Sequence, residues 1–146
     1  MTLQKWLFTL VLVLTTASYA QNSVSEITTE KGIRYLTTSI DYPITGTYNF
    51  KGTNPTVTLN SDGTGTFQLH DLTTRAIIWG MECFKEGTPV YKKGFDNRKY
   101  YLFYKYTSGG EGMSEEVWNK VDLTVHLNSG MIFINGERSK SFTPKG

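Results

Sequence analysis

The sequence is poor in the features that assign a chain quickly to a class. It contains one cysteine, Cys83, so no disulfide bond can form within the chain and the fold must depend on its hydrophobic core. The net charge of +2 is too small for a non-specific nucleic-acid binder. Internal repeats, low-complexity tracts and long runs of like charge are absent, so no linker is visible, and 146 residues allow one ordinary domain.

A long hydrophobic run is also missing. Residues 6–14 are apolar except for Thr9, whereas a transmembrane helix needs about 20 such residues. Lys5 precedes the run, and the small residues Ser18 and Ala20 occupy the −3 and −1 positions that a signal peptidase recognises. This pattern predicts a signal peptide over residues 1–20, with no cysteine at the cleavage point to carry a lipid. We therefore expect a periplasmic or secreted protein without stable membrane insertion.

The residues that are present indicate β structure. A hydrophobic fraction of 38% and an aromatic fraction of 14% exclude a disordered chain. Residues 21–31 are polar and rich in Ser and Thr, which predicts a flexible N-terminal arm. Over residues 32–146, β-branched and aromatic residues alternate with polar ones, and turn residues recur about every 8–12 positions. We predict a single all-β domain there, an antiparallel up-and-down meander of about eight strands that forms a small barrel. A β-sandwich is the alternative.

Two turns and one strand are the clearest local signals. Asp62-Gly63 and Asn135-Gly136 are dipeptides that adopt the positive φ angles of tight hairpin turns. Residues 75–84 alternate, with Ile77, Trp79, Met81 and Cys83 on one face. Gly80, on the other face, predicts a bulge or a close approach of another part of the chain. The strand over residues 117–127 alternates in the same way, with Val117 and Leu127 expected on the inward face and Trp118 on the outward one.

The chain is rich in tyrosine, with nine Tyr beside eight Phe and three Trp. The strand over residues 99–107 is aromatic on both faces, so we expect it to be central or to line a cavity. Two interpretations stay open: these side chains fill the core of a domain without disulfides, or they line a ligand pocket. If a pocket exists, its predicted lining residues are Trp79, Met81, Tyr100, Tyr104 and Tyr106.

One stretch of the chain has a family likeness. Gly46-Thr47-Tyr48, the turn over residues 62–65 and the strand residues Ile77-Ile78-Trp79 together resemble the small exported bacterial lipocalin-like domains of the calycin type. The likeness covers residues 46–79, and Tyr48 stands where lipocalins usually have Trp. It implies a barrel that is open at one end, holds a small apolar or amphipathic ligand and has no catalytic residue.

Residues capable of catalysis or metal binding are few. His70-Asp71 is the most enzyme-like pair, but His70 is expected on the outward face and Cys83 on the inward one, which disfavours a Cys-His nucleophile. Two His and one Cys give no zinc-ligand spacing, so neither a metal nor another cofactor is expected. The basic pairs Lys92-Lys93 and Arg98-Lys99 predict a basic loop rim, not a nucleic-acid surface.

The leading functional hypothesis is therefore an exported, non-catalytic protein that binds a small apolar or amphipathic ligand. The alternative is an exported protein-interaction module without a ligand cavity, such as an inhibitor or an envelope accessory factor. Its contact surface would be the outward face with Trp118, or the tip around Gly109 and Gly110. An enzyme using His70, Asp71 and Glu82 is the weakest hypothesis.

Overall fold

The computed structural model describes residues 23–50, 56–68, 73–107 and 117–144, with only the backbone at residues 50 and 137–144. The predicted signal peptide, the His70-Asp71 pair and the tip at Gly109 and Gly110 lie outside the described residues. Strands make up the regular structure of the described ranges: β1 Val24–Thr29, β2 Gly32–Thr37, β3 Gly46–Phe50, β4 Thr56–Leu59, β5 Thr64–Gln68, β6 Thr74–Cys83, β7 Tyr91–Lys93, β8 Asn97–Tyr106, β9 Asn119–His126, β10 Ile132–Ile134 and β11 Glu137–Pro144.

Eight of these strands form a closed antiparallel barrel. The strands β3, β4, β5 and β6 pair in sequence order, and β6 then pairs with β8. The strands β8, β9, β10 and β11 also pair in order, and β11 pairs back with β3. The prediction of a small up-and-down barrel of about eight strands is confirmed. The alternative sandwich is not formed, because all the pairings belong to one sheet.

Three further strands lie outside this ring. The three-residue β7 pairs with the start of β8, and β2 pairs with the end of β6 through Tyr35–Thr37. The strand β1 pairs with β2 along its whole length, in a segment for which the sequence predicts a flexible arm. A strand forms there although the segment is polar, because half of its side chains are exposed, none is buried, and its backbone groups find partners in β2. Over the described residues, the sheet therefore has eleven strands, three more than the predicted barrel of about eight.

The barrel interior is filled by the inward side chains of these strands. The predicted inward set on β6 is confirmed, because Ile77, Trp79, Met81 and Cys83 are at most 4% exposed. The prediction for β9 is wrong at its ends. Val117 and Leu127 are 44% and 45% exposed because the strand covers only Asn119–His126, so the alternation does not extend to them. The buried core cluster comprises Ile44, Tyr48, Val57, Leu59, Ile77, Trp79, Met81, Tyr100, Leu102, Leu123, Val125, Ile132 and Ile134.

The segment between β2 and β3 closes one end of the barrel, which we call the closed end. Ile40, Tyr42 and Ile44 pack their side chains against the core, and the buried Tyr48 hydroxyl donates a 2.5 Å hydrogen bond to the Ile44 carbonyl. The segment also bonds to the turn between β4 and β5, where the Thr38 hydroxyl donates to a carbonyl at 3.0 Å. These contacts fix the segment across several strand ends.

A polar cluster ties the same segment to β8. The Tyr100 hydroxyl donates a 2.7 Å hydrogen bond to Asp41, and Arg98 forms an ion pair with the same carboxylate. The hydrogen bond from Tyr100 and the charge of Arg98 lower the pKa of Asp41. The cluster thus holds the closed end through a charge-assisted network.

Within the described part of the chain, no helix is long and apolar enough to cross a membrane.

Candidate ligand-binding site

All five predicted pocket residues lie on the inward face of β6 or β8, but at different depths. Trp79, Met81 and Tyr100 belong to the buried core, with exposed fractions of 4%, 0% and 1%. Tyr104 and Tyr106 are half-buried and pack against that core from the end of the barrel opposite the closed end. The structure therefore brings Trp79 and Tyr104 together as cross-strand partners, while the burial of the five side chains differs: three are buried and two are half-buried.

The polar side-chain atoms of Trp79 and Tyr100 form hydrogen bonds within the protein. The Trp79 indole N–H is shared between two carbonyls of the β4–β5 hairpin, at 3.1 Å from Asn60 and 2.9 Å from Thr64. The Tyr100 hydroxyl is bound to Asp41. The core-filling interpretation therefore accounts for the deep residues of the set.

At the other end, half-buried aromatic rings form a cluster. The ring of Tyr104 stacks on Phe67 with centroids 4.4 Å apart, and Tyr106 meets Tyr104 edge-on at 5.7 Å. Cross-strand pairing brings these rings together, because β5 and β8 flank β6 on its two edges. We call this end the mouth and define it by Phe67, Arg75, Tyr104, Tyr106 and Val121.

Phe67, Arg75 and Val121 are the mouth residues that the sequence analysis did not predict, and Arg75 is the only charged residue among the five. It stands directly opposite Phe67 in the pairing of β5 with β6, on the same face as Ile77 and Trp79. Its Nε is buried and has no hydrogen-bond partner. A buried donor without a partner costs about 1–3 kcal/mol. The available signal was the alternation of residues 75–84, which puts a permanently charged side chain on the inward face.

The mouth therefore combines an apolar aromatic surface with an unsatisfied cationic donor. An oxygen acceptor brought in by a ligand would complete the hydrogen bonding of Arg75. The strands β3, β5 and β8 end on this side of the barrel, at Phe50, Gln68 and Tyr106. The geometry of the described residues suits binding of a molecule with an apolar body and one acidic group.

No family model, curated protein or solved structure matches the chain. The likeness of residues 46–79 to the lipocalin-like domains therefore stays a prediction that rests on its motifs.

The other residues that were considered for catalysis or binding lie outside the mouth. Cys83 is free and buried, and burial together with Glu86 and Glu82 raises the pKa of its thiol, which disfavours the thiolate. His126 is half-buried, with its ring 4.9 Å from that of Phe133. Of the basic pairs, Lys99 forms an ion pair with Asp122 at 3.5 Å. Among the residues that the structure describes, no group of three or more His, Cys, Asp or Glu could hold a metal ion.

The buried tyrosines predict a loss of stability at high pH. Burial, with the neighbouring Tyr106, raises the pKa of Tyr104 from 10.0 to about 12. Between these values the unfolded chain loses the proton while the folded protein keeps it, so stability falls as pH rises from 10 towards 12. Tyr104→Phe should make this fall shallower in urea titrations followed by circular dichroism, and leave the stability difference from wild type constant below pH 10. Equal slopes for the two proteins would contradict the burial of this hydroxyl.

Proposed function

We propose that the protein is an exported, lipocalin-like barrel that binds a small amphipathic molecule at its mouth without catalysing a reaction. The observation that carries the proposal is the buried Arg75 Nε without a partner, beside the half-buried rings of Phe67, Tyr104 and Tyr106. The rings would take the apolar body of the ligand, and the guanidinium would take its acidic group.

The filled interior supports a shallow site and a small ligand. Trp79 and Met81 occupy the middle of the barrel, and the segment with Ile44 covers the far end. A ligand entering at the mouth would therefore meet packed side chains after a short distance. This favours a compact molecule, such as a medium-chain or aromatic carboxylic acid, over a long lipid.

Arginine suits a carboxylate better than a neutral polar group. Its planar guanidinium offers N–H donors in a fork that matches two carboxylate oxygens, and it stays charged at all ordinary pH values. A carboxylate that accepts a hydrogen bond from the Arg75 Nε would also remove the cost of burying this donor without a partner. The acidic group should therefore contribute strongly to affinity.

The export part of the proposal rests on the sequence. The signal-peptide pattern over residues 1–20 supports a periplasmic or secreted location. The single buried Cys83 is compatible with an oxidising compartment, because a buried thiol does not readily pair with another chain.

The first test asks whether the protein carries a ligand. Native mass spectrometry on protein purified from its own host, followed by organic extraction, should detect a bound acid at one molecule per chain. Titration calorimetry with octanoate and octanol then tests the chemistry, and we expect octanoate to bind about tenfold more tightly.

Variants connect this preference to the mouth. Arg75→Met keeps an apolar stem and removes the guanidinium, so octanoate affinity should fall to that of octanol. Lys92→Met removes a positive charge from the exposed β7 and serves as the control, with octanoate affinity unchanged. An empty protein that binds neither probe, or an Arg75→Met variant with full octanoate affinity, would overturn the proposal.

A further inference from the structure

The two free edges of the described sheet are built differently. The edge strand β7 has three residues, and Lys92 and Lys93 are exposed on it, as is typical of edges that resist pairing with another chain. The edge strand β1 has six residues, pairs with β2 in unbroken register and contains no Lys, Arg or Pro. Its one charged residue is Glu26, so it lacks the lysines and the short length that protect β7.

The hairpin of β1 and β2 packs over the outer wall of the barrel. The side chain of Leu36 fills the place of a side chain at Gly80, since a Cβ built on this glycine would lie 2.6 Å from the Leu36 Cβ. The close approach that the sequence predicts at Gly80 is thus present. Leu36 and Phe103 are 3% and 5% exposed, although both point away from the barrel interior. An apolar layer joins the hairpin to the wall.

This layer is incomplete along β1, where two cavities remain. The first, of about 320 Å³, lies between Ser25 and Ile27 of the hairpin and Ile78 of the wall. The second, of about 450 Å³, lies between Thr29 and Phe103. Trp118 lines both of them, so the cavities follow one another along the same strand. We call the two cavities together the β1 groove.

The ends of the β1 groove differ in charge. Lys31, Arg34 and Lys120 line the second cavity, with Glu30 as its one acidic lining residue. Arg34 is paired with Glu82 at 3.5 Å, whereas the Lys120 ammonium lies 4.2 Å above the Tyr101 ring. The first cavity is lined by hydroxyl and apolar side chains and by Asp62. An occupant should therefore be apolar at one end and acidic at the other.

We propose that the β1 edge accepts an extended segment of another protein, which adds to the sheet as a strand and fills the β1 groove. Backbone hydrogen bonds to β1 would supply affinity, and alternate side chains would enter the two cavities. An apolar side chain fits the first cavity, and a carboxylate fits the Lys31 and Lys120 side of the second. This surface is separate from the mouth and does not depend on a ligand bound there.

The partner is another protein, not a second copy of this chain. The β1 residues that line the groove are Ser25, Ile27, Thr28 and Thr29, so a copy of β1 added in the same manner would bring no carboxylate to the cationic end. Charge complementarity therefore favours a different, acidic segment.

The test selects random 12-residue peptides on phage against the purified chain and measures hydrogen exchange with a selected synthetic peptide. We expect selected peptides to alternate apolar residues and to carry Asp or Glu near one end. The amides of residues 24–29 should gain protection when such a peptide binds. The double variant Lys31→Glu with Lys120→Glu should weaken binding by about tenfold or more. The matched control, Lys92→Glu with Lys93→Glu, makes the same charge change at exposed positions of the other edge and should leave affinity unchanged.

Three results would overturn the proposal. The selected peptides could bind without protecting β1, or bind equally well to the Lys31 and Lys120 double variant. Alternatively, β1 could become protected at high protein concentration without peptide, together with a dimer in light scattering, which would assign the edge to a second copy. Octanoate titrations of the same variants separate this surface from the mouth, because the charge changes should not alter octanoate binding.

Discussion

Gly65→Ala is expected to lower the free energy of unfolding by about 3 kcal/mol. A Cβ at this position would lie 2.2 Å from the Thr58 carbonyl oxygen and 3.4 Å from Ile77. The first contact is with backbone, which cannot move aside without disturbing the pairing of β4 with β5. The strands must separate locally, and the interior side chains that they carry must shift with them. Urea unfolding followed by circular dichroism measures the change.

Thr66→Ala is the matched control for this variant. Thr66 is the next residue of β5, is half-buried and opposes Thr58 across the pair, so its replacement should cost about 1 kcal/mol or less. Gly80→Ala should give an intermediate loss of stability, because the added Cβ would clash with the Leu36 side chain of the outer hairpin and not with the backbone of a barrel strand. A Gly65→Ala protein as stable as Thr66→Ala would contradict the close approach of β4 and β5.

Trp79→Ala is expected to cost about 3–5 kcal/mol. The ring is 4% exposed within the core cluster, and its N–H holds the carbonyls of Asn60 and Thr64. Truncation to Ala leaves a large cavity and also removes the indole N–H donor. Trp79→Phe keeps most of the packing, and the two carbonyls still accept hydrogen bonds from the backbone N–H groups of Gly63 and Asn60. Its cost should therefore be only about 1 kcal/mol, the net value of a lost hydrogen bond.

Trp118→Ala provides the comparison, because Trp118 is half-buried on the outer face and its loss should cost about 1 kcal/mol or less. Thermal and urea unfolding of the three variants give the ranking. If Trp79→Ala were nearly as stable as wild type but lost octanoate binding, Trp79 would be a ligand-contacting residue and the assignment of the deep residues to the core would be wrong.

The barrel could be predicted because its local signals agree with one another. Positive φ angles occur at Gly63, Asn135 and Gly136, where the dipeptides predict hairpin turns. The inward set on β6 follows a strict period of two, so parity alone separates Trp79 from Gly80. Short connections between such strands leave antiparallel pairing as the simplest arrangement.

The N-terminal hairpin could not be predicted from the same signals. The residues of β1 are mostly small and polar, and their strand conformation depends on the backbone partners that β2 supplies. The closed end has the same difficulty, since Ile40, Tyr42 and Ile44 lie in a segment without regular structure. These side chains are buried because they pack against the end of the eight-stranded barrel. The local sequence does not show that contact.

The candidate site was only partly predictable for a related reason. Parity places Tyr100, Tyr104 and Tyr106 on one face, but it gives no depth along the barrel axis. Burial depends on what covers each ring: Tyr104 is half-buried although it pairs with the buried Trp79, and Tyr100 is buried opposite Leu123. The alternation of β6 also puts Arg75 on the inward face, but parity does not show that its Nε lacks a hydrogen-bond partner.

The branching of the sheet at β6 makes the protein a structure of two tiers. One edge of this strand pairs first with β5, up to Ile78, and then with β2 from Met81 onwards. The eight strands of the barrel complete their pairings without the contact between β6 and β2. The closure of the barrel therefore depends only on its own eight strands, and the outer hairpin is attached to it through the pairing of Tyr35–Thr37 with β6 and the contact of Leu36 with Gly80.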